Sequence, residues 1–223
     1  MKRVLVLFVL IFISFTAISQ TKFGVRAGMT LSTYCSAQED YLFKPGIHIG
    51  GVADIPLGSS NFSFLPGLYF ADKGTKIKGD FPHSDIIFFV RPEAFNLKET
   101  HYNFQLEIPL LLAYKIPINE KVTLKPQIGV YFSYTMFGRI NSKYNYYFSY
   151  DPNPPSEITE DYYFYNDFYL GLGGNIGLSA FYNKYSFTIS CDAGFSNNEG
   201  TILSYERENY PDICIYFSLG YNF

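Results

Sequence analysis

The segment Tyr102–Tyr114, with the sequence YNFQLEIPLLLAY, indicates most clearly how this chain folds. Apolar side chains recur at every second position, and Asn103, Gln105 and Glu107 stand between them. This period of two belongs to a β-strand with one apolar and one polar face, because a helix repeats its faces every three to four residues. The segment therefore predicts a strand at a boundary between an apolar and a polar environment.

Seven further segments alternate in the same way. They lie at residues 23–32, 45–55, 62–70, 122–134, 167–179, 187–195 and 213–223, and the one at 62–70 continues outward past Asp72. A tilted strand of about 9–11 residues is long enough to cross a bilayer. Each of these segments has about that length, so the sequence predicts eight membrane-crossing strands.

The connections between these strands alternate in length. Short ones fall near residues 58–61, 117–121 and 182–184, and long ones cover residues 34–44, 72–100, 137–166 and 196–212. Outer-membrane barrels have this layout, with tight periplasmic turns and longer outer loops, whereas a soluble lipocalin-like barrel has no reason for it. We therefore expect an all-β fold, namely an eight-stranded antiparallel up-and-down transmembrane β-barrel. The apolar run at residues 85–91 is interpreted as a short strand or patch within the second long loop.

The composition agrees with a membrane boundary. The chain has 21 Tyr and 23 Phe but no Trp. Tyrosine suits an interface because its ring is buried while its hydroxyl stays in water. The formal net charge is −3 and there is no basic stripe, which argues against a nucleic-acid partner.

The N-terminus has the pattern of a cleavable signal peptide, so we expect export to the cell outer membrane. Lys2 and Arg3 precede the apolar run Val4–Ile13, and Ala17-Ile18-Ser19 has the small-x-small form of a cleavage site. An uncleaved anchor is the alternative, but the apolar run falls short of the ~20 residues that a spanning helix needs. The predicted division is a signal peptide at residues 1–19 and a barrel domain at residues 20–223.

The chain has three cysteines, Cys35, Cys191 and Cys214. Alternation places Cys191 and Cys214 on opposite faces of neighbouring strands, which argues against a bond between them. Cys35 and Cys214 lie near the same rim of the first and last strands, which are neighbours in a closed barrel. The sequence leaves open a Cys35–Cys214 disulfide or three unrelated thiols.

With its strands laid out, the chain resembles the small PorT-like outer membrane protein β-barrel family, which is akin in architecture to OmpX and the OmpA barrel. The resemblance is carried by residues 23–28, 103–112, 125–131 and 167–174, together with the terminal Phe223. It implies the fold and the membrane location. The terminal strand resembles the signal that barrel-assembly machinery recognises, so that machinery is an expected partner during biogenesis. PorT-like proteins also suggest a role beside a secretion or transport assembly.

The polar face predicts a charged network in the barrel lumen. Its members are Arg26, Asp54, Glu107, Lys115, Lys125, Asp167 and Asp192. An eight-stranded barrel is only wide enough inside for side chains, and unpaired buried charge is costly. We therefore expect these groups to pair and close the lumen; an ion or proton path is the alternative.

The third long loop is rich in aromatic residues and is a candidate extracellular recognition surface for a sugar or a protein. It contains Tyr144, Tyr146, Tyr147, Phe148, Tyr150, Tyr162 and Tyr163. The alternative is an interfacial girdle with a β-hairpin that extends above the membrane.

No residue set predicts catalysis, a metal site or a cofactor. The histidines are His48, His83 and His101, and although Ser84 follows His83, adjacency in sequence does not make a triad. We expect a non-enzymatic barrel that is structural or adhesive, or accessory to a secretion or transport assembly. The alternatives are a narrow porin-like channel and an outer-membrane enzyme that modifies lipid or peptide. The expected partners are outer-membrane lipid and a protein of a secretion or surface complex.

Overall fold

A computed structural model describes residues 21–35, 41–82, 94–147, 157–165, 170–195 and 212–223. The described chain forms ten strands: β1 (Lys22–Tyr34), β2 (Tyr41–Pro56), β3 (Phe62–Pro82), β4 (Ala94–Tyr114), β5 (Ile116–Pro117), β6 (Val122–Tyr147), β7 (Glu157–Tyr165), β8 (Leu170–Tyr182), β9 (Tyr185–Gly194) and β10 (Asp212–Asn222). None of the described residues forms a helix that is long and apolar enough to cross a membrane. The predicted signal peptide lies outside the described residues.

Eight of these strands close into a ring. The order is β1, β2, β3, β4, β6, β8, β9 and β10, every pairing is antiparallel, and β10 pairs with β1 along Gly24–Tyr34. β5 and β7 are extra strands that pair with the two ends of β6. The ring confirms the predicted eight-stranded antiparallel barrel.

One end of the barrel, here called the turn rim, carries the short connections. They lie at residues 57–61, 118–121 and 183–184. Asn183 has a φ of 54°, a left-handed conformation that a two-residue hairpin requires and that asparagine tolerates better than most residues. Short connections of this kind keep neighbouring strands in register at the turn rim.

The opposite end is much higher on one side of the barrel than on the other. β3, β4, β6 and β7 continue past the closed ring as a four-stranded sheet, here called the tall sheet, which comprises residues 76–82, 94–101, 138–147 and 157–165. β1 ends at Tyr34 and β9 ends at Gly194, so the facing wall is short. Long parts of the predicted connections 72–100 and 137–166 are therefore strands, and that prediction was wrong. The apolar run at residues 85–91 lies outside the described residues.

The outward face of the ring is apolar and exposed. Ile128, Ile176 and Leu219 are 59%, 61% and 70% exposed. Exposed apolar surface this extensive marks contact with something other than water. The alternation that predicted the strands thus separates an outward apolar face from a buried interior that is mostly polar.

Aromatic side chains border the apolar band at both ends. Toward the tall sheet, the ring centroids of Phe70 and Phe104 are 6.0 Å apart and those of Phe104 and Phe137 are 4.5 Å apart. At the turn rim, Phe62 contacts Tyr114 with ring centroids 4.9 Å apart. From Phe104 to Tyr114, β4 advances about 33 Å along the strand, or about 25 Å in height at the tilt usual in such barrels. This height matches the lipid-facing band of outer-membrane barrels.

Candidate functional site

The lumen is organised around Lys73, which is 2% exposed. Its Nζ atom lies 2.6 Å from Glu107 Oε1, 3.3 Å from Asp192 Oδ2 and 3.7 Å from Asp212 Oδ2. The ring centroids of Tyr131 and Tyr216 lie 4.7 and 5.5 Å from the same atom. A single ammonium group therefore joins carboxylates from three strands, β4, β9 and β10, to β3. We call these four charged residues the Lys73 cluster.

Neutral groups hold the carboxylates of the Lys73 cluster in place. The Tyr216 hydroxyl donates to Glu107 Oε2 at 2.7 Å, and the Asn175 amide donates to Asp192. Buried carboxylates without such donors would carry a large desolvation cost. The cluster is therefore a positioned network that crosses the lumen from one wall to the other.

The sequence leaves space for this network by placing glycine on the inward face of β8. A Cβ atom at Gly173 would lie 2.3 Å from the Tyr131 ring and 2.5 Å from the carbonyl oxygen of Ala193. Any larger residue would therefore displace Tyr131 from its position over Lys73. Glycine inside a strand commonly marks a place where a neighbouring group approaches closely.

The space that remains inside the barrel is small. A cavity of about 40 Å³ is lined by Arg26, His48, Glu107, Asp192 and Tyr216, among other residues. One water molecule needs about 10–15 Å³ measured in this way, so the cavity holds only a few waters. His48 lies beside it, with Nε2 2.8 Å from Ser218 Oγ.

The lumen widens toward the turn rim into a vestibule of about 370 Å³. At its inner wall, Lys125 forms an ion pair with Asp54. Lys115 lines the same vestibule as Asp54 and Lys125 and is exposed. Its pairing within the network stays a prediction.

The remaining predicted lumen residues have mixed outcomes. Arg26, Glu107, Lys125 and Asp192 are buried inside the barrel, at 3% to 7% exposure. Asp167 lies outside the described residues. The structure brings together Glu107 and Asp192 through Lys73, and Asp54 with Lys125 in a separate pair.

Sequence reasoning missed two members of the Lys73 cluster. Lys73 and Asp212 had been assigned to long connections, although each lies on a strand next to the predicted end. The alternation from Leu65 through Ala71 places Lys73 on the inward face, so the sequence alone could have identified this residue as part of the lumen. A second missed pair joins Lys44 Nζ and Asp72 Oδ1 at 2.6 Å.

The aromatic recognition segment is a hairpin rather than a loop. Tyr144, Tyr146 and Tyr147 lie on β6, and Tyr162 and Tyr163 lie on the paired strand β7. Tyr163 is 50% exposed, and the Arg139 guanidinium lies 5.5 Å from its ring centroid. Phe148 and Tyr150 lie outside the described residues. A recognition role for the segment stays a prediction.

A hydrogen-bonded group fixes β6 to β7 in the tall sheet. Arg139 Nη2 lies 2.9 and 3.0 Å from the two Asp161 oxygens, and Asn141 donates to Asp161 Oδ1 at 2.7 Å. The hydrogen bonds from Asn141 and Arg139 hold the pKa of the Asp161 carboxyl below its usual value. This side chain is therefore charged under all ordinary conditions.

The histidines and cysteines form no recognisable reaction centre among the described residues. His101 Nε2 lies 3.0 Å from Glu99 Oε2, while His83 and Ser84 lie outside the described residues. Within the described chain, no three His, Cys, Asp or Glu side chains are grouped to hold a metal ion. Cys35, Cys191 and Cys214 are free thiols, so the Cys35–Cys214 disulfide is not formed.

Comparison with solved structures finds small outer-membrane barrels. Ail, the attachment invasion locus protein of Yersinia pestis, has 11% identity and a TM-score of 0.38, covering 91% of this chain and 98% of that chain. Neisserial surface protein A has 14% identity and a TM-score of 0.40, with coverages of 90% and 97%. A major outer membrane protein from Thermus thermophilus has 15% identity and a TM-score of 0.45, with coverages of 92% and 100%. A search of curated proteins finds no match.

The family comparison covers most of the chain. The family described as "outer membrane protein beta-barrel domain" matches residues 18–199, which include every ring strand except β10. The closed ring, the outward apolar band with its aromatic borders and the polar lumen are the features that such a domain requires. The chain belongs to the outer membrane protein β-barrel domain family.

Proposed function

We propose that the protein is a non-conducting, non-enzymatic outer-membrane barrel that acts through its tall sheet. In this proposal it is a structural or adhesive component of the cell surface, or an accessory to a secretion or transport assembly. The observation that carries the proposal is the Lys73 cluster, which joins β3 to β4, β9 and β10 across the lumen.

The lumen leaves no room for a solute path at the level of this cluster. An eight-stranded barrel has an interior that side chains fill, whereas water-filled channels occur in barrels of 16 to 18 strands. Here Tyr131, Tyr216 and Lys73 add large groups to that narrow interior, and the cavity beside them measures about 40 Å³. To open it, buried ion pairs would have to separate, which is strongly unfavourable.

Within the described chain, the tall sheet is the surface through which the protein contacts another molecule in this proposal. β4 continues for ten residues beyond Phe104, or about 33 Å along the strand. Continuous pairing with β3 and β6 makes this extension a firm platform rather than a mobile loop. A platform anchored in a membrane fits an adhesive or an accessory role, and it has no use in conduction.

Conductance tests the closed lumen. The purified, refolded protein is expected to give no stable single-channel steps in a planar bilayer, because the Lys73 cluster blocks the passage. A porin reconstituted in the same way serves as the positive control. Reproducible steps that change on Glu107→Ala or Lys125→Ala would overturn the proposal and favour a narrow channel.

Labelling on intact cells tests whether the tall sheet faces outward. In a background with all three cysteines replaced by Ser, a membrane-impermeant maleimide should label Thr159→Cys in the tall sheet and spare Glu120→Cys at the turn rim. Both positions are exposed, so their accessibility differs only in the side of the membrane. Labelling at residue 120 without labelling at residue 159 would reverse the orientation and remove the tall sheet from the cell surface.

A further inference from the structure

We propose that the vestibule at the turn rim binds a small soluble molecule that carries two phosphate groups. The vestibule measures about 370 Å³, and small-molecule sites in proteins are concave clefts of about 300–1,000 Å³. Its lining comes from all around the barrel, because β1, β2, β3, β6, β8 and β10 contribute to it. A ligand in the vestibule is therefore surrounded by protein on its sides.

Positive charge is concentrated in the vestibule. Four lysines line it, namely Lys22, Lys115, Lys125 and Lys184. Asp54 is the one acidic side chain among the lining residues, and it forms its ion pair with Lys125. Four lysines against one carboxylate leave three positive charges, and a terminal carboxylate at Phe223, which also lines the vestibule, would still leave two. Charges of one sign in a concave site with low-dielectric walls attract a ligand of the opposite sign.

The rest of the turn rim does not supply the missing negative charge. Among the short connections, only the one at residues 118–121 has an acidic residue, Glu120; Lys121 follows it, and neither residue lines the vestibule. Residues 1–20 lie outside the described residues and lead into β1 at this end, and their sequence contains no Asp or Glu. The other segments outside the described residues connect strand ends at the opposite end of the barrel. The three positive charges are therefore left for an anion from solution.

The type and the number of the charges point to phosphate. Carboxylates are commonly held by the planar fork of arginine, whereas lysine binds phosphate as a compact point charge. The lining of the vestibule contains lysine and no arginine. One phosphate group carries a charge of about −1.5 to −2 at neutral pH, so two of them balance the three positive charges. The hydroxyl groups of Ser63 and Thr123 and the amide of Asn61 also line the vestibule and are uncharged donors for phosphate oxygens.

The barrel wall separates the vestibule from the surrounding lipid. Strand pairing continues to the turn rim, where β1 pairs with β2 at Lys22, β3 pairs with β4 at Phe62, and β6 pairs with β8 at Val122. A lipid whose acyl chains stay in the bilayer would have to pass its headgroup through this closed wall to reach the vestibule. The ligand is therefore a soluble molecule that enters along the barrel axis.

The test is a calorimetric titration of the full chain, in a zwitterionic detergent, with inorganic pyrophosphate. The vestibule variant combines Lys22→Gln, Lys115→Gln and Lys184→Gln, and it keeps Lys125 so that Asp54 retains its partner. The matched control combines Lys78→Gln, Lys98→Gln and Lys143→Gln, which removes the same charge from exposed positions in the tall sheet. A second control, Lys121→Gln, removes a lysine that is exposed at the turn rim but does not line the vestibule. Circular dichroism verifies that each variant is folded.

The vestibule variant is expected to lose about 100-fold in affinity for pyrophosphate, because an exposed ion pair contributes up to about 5-fold for each lysine. Both controls should keep the wild-type affinity. Absence of binding to the wild type, equal affinities of the wild type and the vestibule variant, or an equal loss in the tall-sheet control would overturn the proposal.

Two further titrations distinguish the source of the anion. Citrate carries a similar charge on carboxylates, and an affinity equal to that of pyrophosphate would overturn the assignment to phosphate. Phosphatidylglycerol in the micelles should bind the wild type and the vestibule variant alike; a dependence on the same three lysines would assign them to a lipid headgroup and overturn the soluble ligand. Single-channel steps in a bilayer would not change these affinities, so this proposal and the closed lumen fail separately.

Discussion

β4 passes through two environments, and its two halves differ on one face only. In the ring, its outward side chains are apolar: Phe104, Leu106, Ile108, Leu110 and Leu112. In the tall sheet, the same face carries Thr100 and Lys98. The inward face is polar from Glu107 and Gln105 in the ring to His101 and Glu99 above it, and it carries the buried apolar residues Leu111 and Ala113 only toward the turn rim. Strand pairing is continuous across both halves, so the backbone does not cause the difference.

The comparison shows that the two faces are specified by different requirements. The outward face follows whatever surrounds the barrel, which is lipid below the Phe70–Phe104–Phe137 border and water above it. The inward face must satisfy its polar groups wherever they are buried, because charged and hydrogen-bonding groups are costly there when unpaired. Substitutions on the two faces should therefore differ in size and in cause.

The largest effect is expected at the centre of the lumen. Lys73→Met leaves Glu107, Asp192 and Asp212 close together without their cation, and breaking a buried ion pair costs ~3–5 kcal/mol. Lys98→Met on the outward face of the tall sheet should change stability by no more than about 0.5 kcal/mol, as exposed substitutions usually do. Urea unfolding in lipid vesicles measures both.

A second variant keeps this prediction testable if Lys73→Met does not fold. Adding Glu107→Gln and Asp192→Asn to Lys73→Met removes two of the three negative charges and should recover part of the lost stability. Equal stability of Lys73→Met and Lys98→Met, or no recovery in the combined variant, would show that the lumen is not held by this charge pairing.

The ring strands could be predicted because lipid on one side produces strict alternation. Residues 102–114 and 122–134, for example, are read correctly from apolar side chains at every second position. Above the aromatic border the outward face becomes polar as well, so the contrast between the two faces that reveals a period of two weakens. The strand continuation at Lys76 and Lys78 therefore resembled a polar loop.

The lumen network could be predicted as a class of residues but not as a set of contacts. Alternation correctly placed Glu107 and Asp192 inside the barrel. Lys73 was missed because residues from Asp72 onward were assigned to the second long connection, although the third strand was expected to continue outward past Asp72. Asp212 was missed because its strand was expected to start at Ile213. The relative stagger of distant strands decides which carboxylates contact the same lysine. This stagger cannot be deduced from a single sequence.

An intermediate effect is expected on the lipid face. Leu110→Arg places a cation near the middle of the apolar band and should cost about 2–4 kcal/mol. The control is Thr100→Arg, ten residues away on the same face of β4 but above the aromatic border, where the change should be close to zero. Unfolding in vesicles measures the stability of both variants. Gln105→Arg, on the inward face of the same strand, gives a further comparison, because its effect on stability comes from the polar groups of the lumen and not from lipid. Equal losses for Leu110→Arg and Thr100→Arg would mean that lipid does not end at Phe104.

The smallest effect concerns the group of Arg139, Asn141 and Asp161, which lies in water above the border. Hydrogen bonds from Asn141 and Arg139 lower the pKa of Asp161 below the ordinary value of 3.8. A carboxyl whose pKa is lowered in the folded state contributes stability above its unfolded pKa and loses it as the pH falls through the folded pKa. The link between β6 and β7 should therefore be unchanged from neutral pH down to about 4 and weaken only in stronger acid. An NMR titration of the Asp161 carboxyl carbon gives the midpoint directly, and Asn141→Ala and Arg139→Gln should each raise it. A midpoint at or above 3.8 in the unaltered protein would show that this group does not hold the hairpin together, and it would leave backbone pairing alone to fix β7 on the tall sheet.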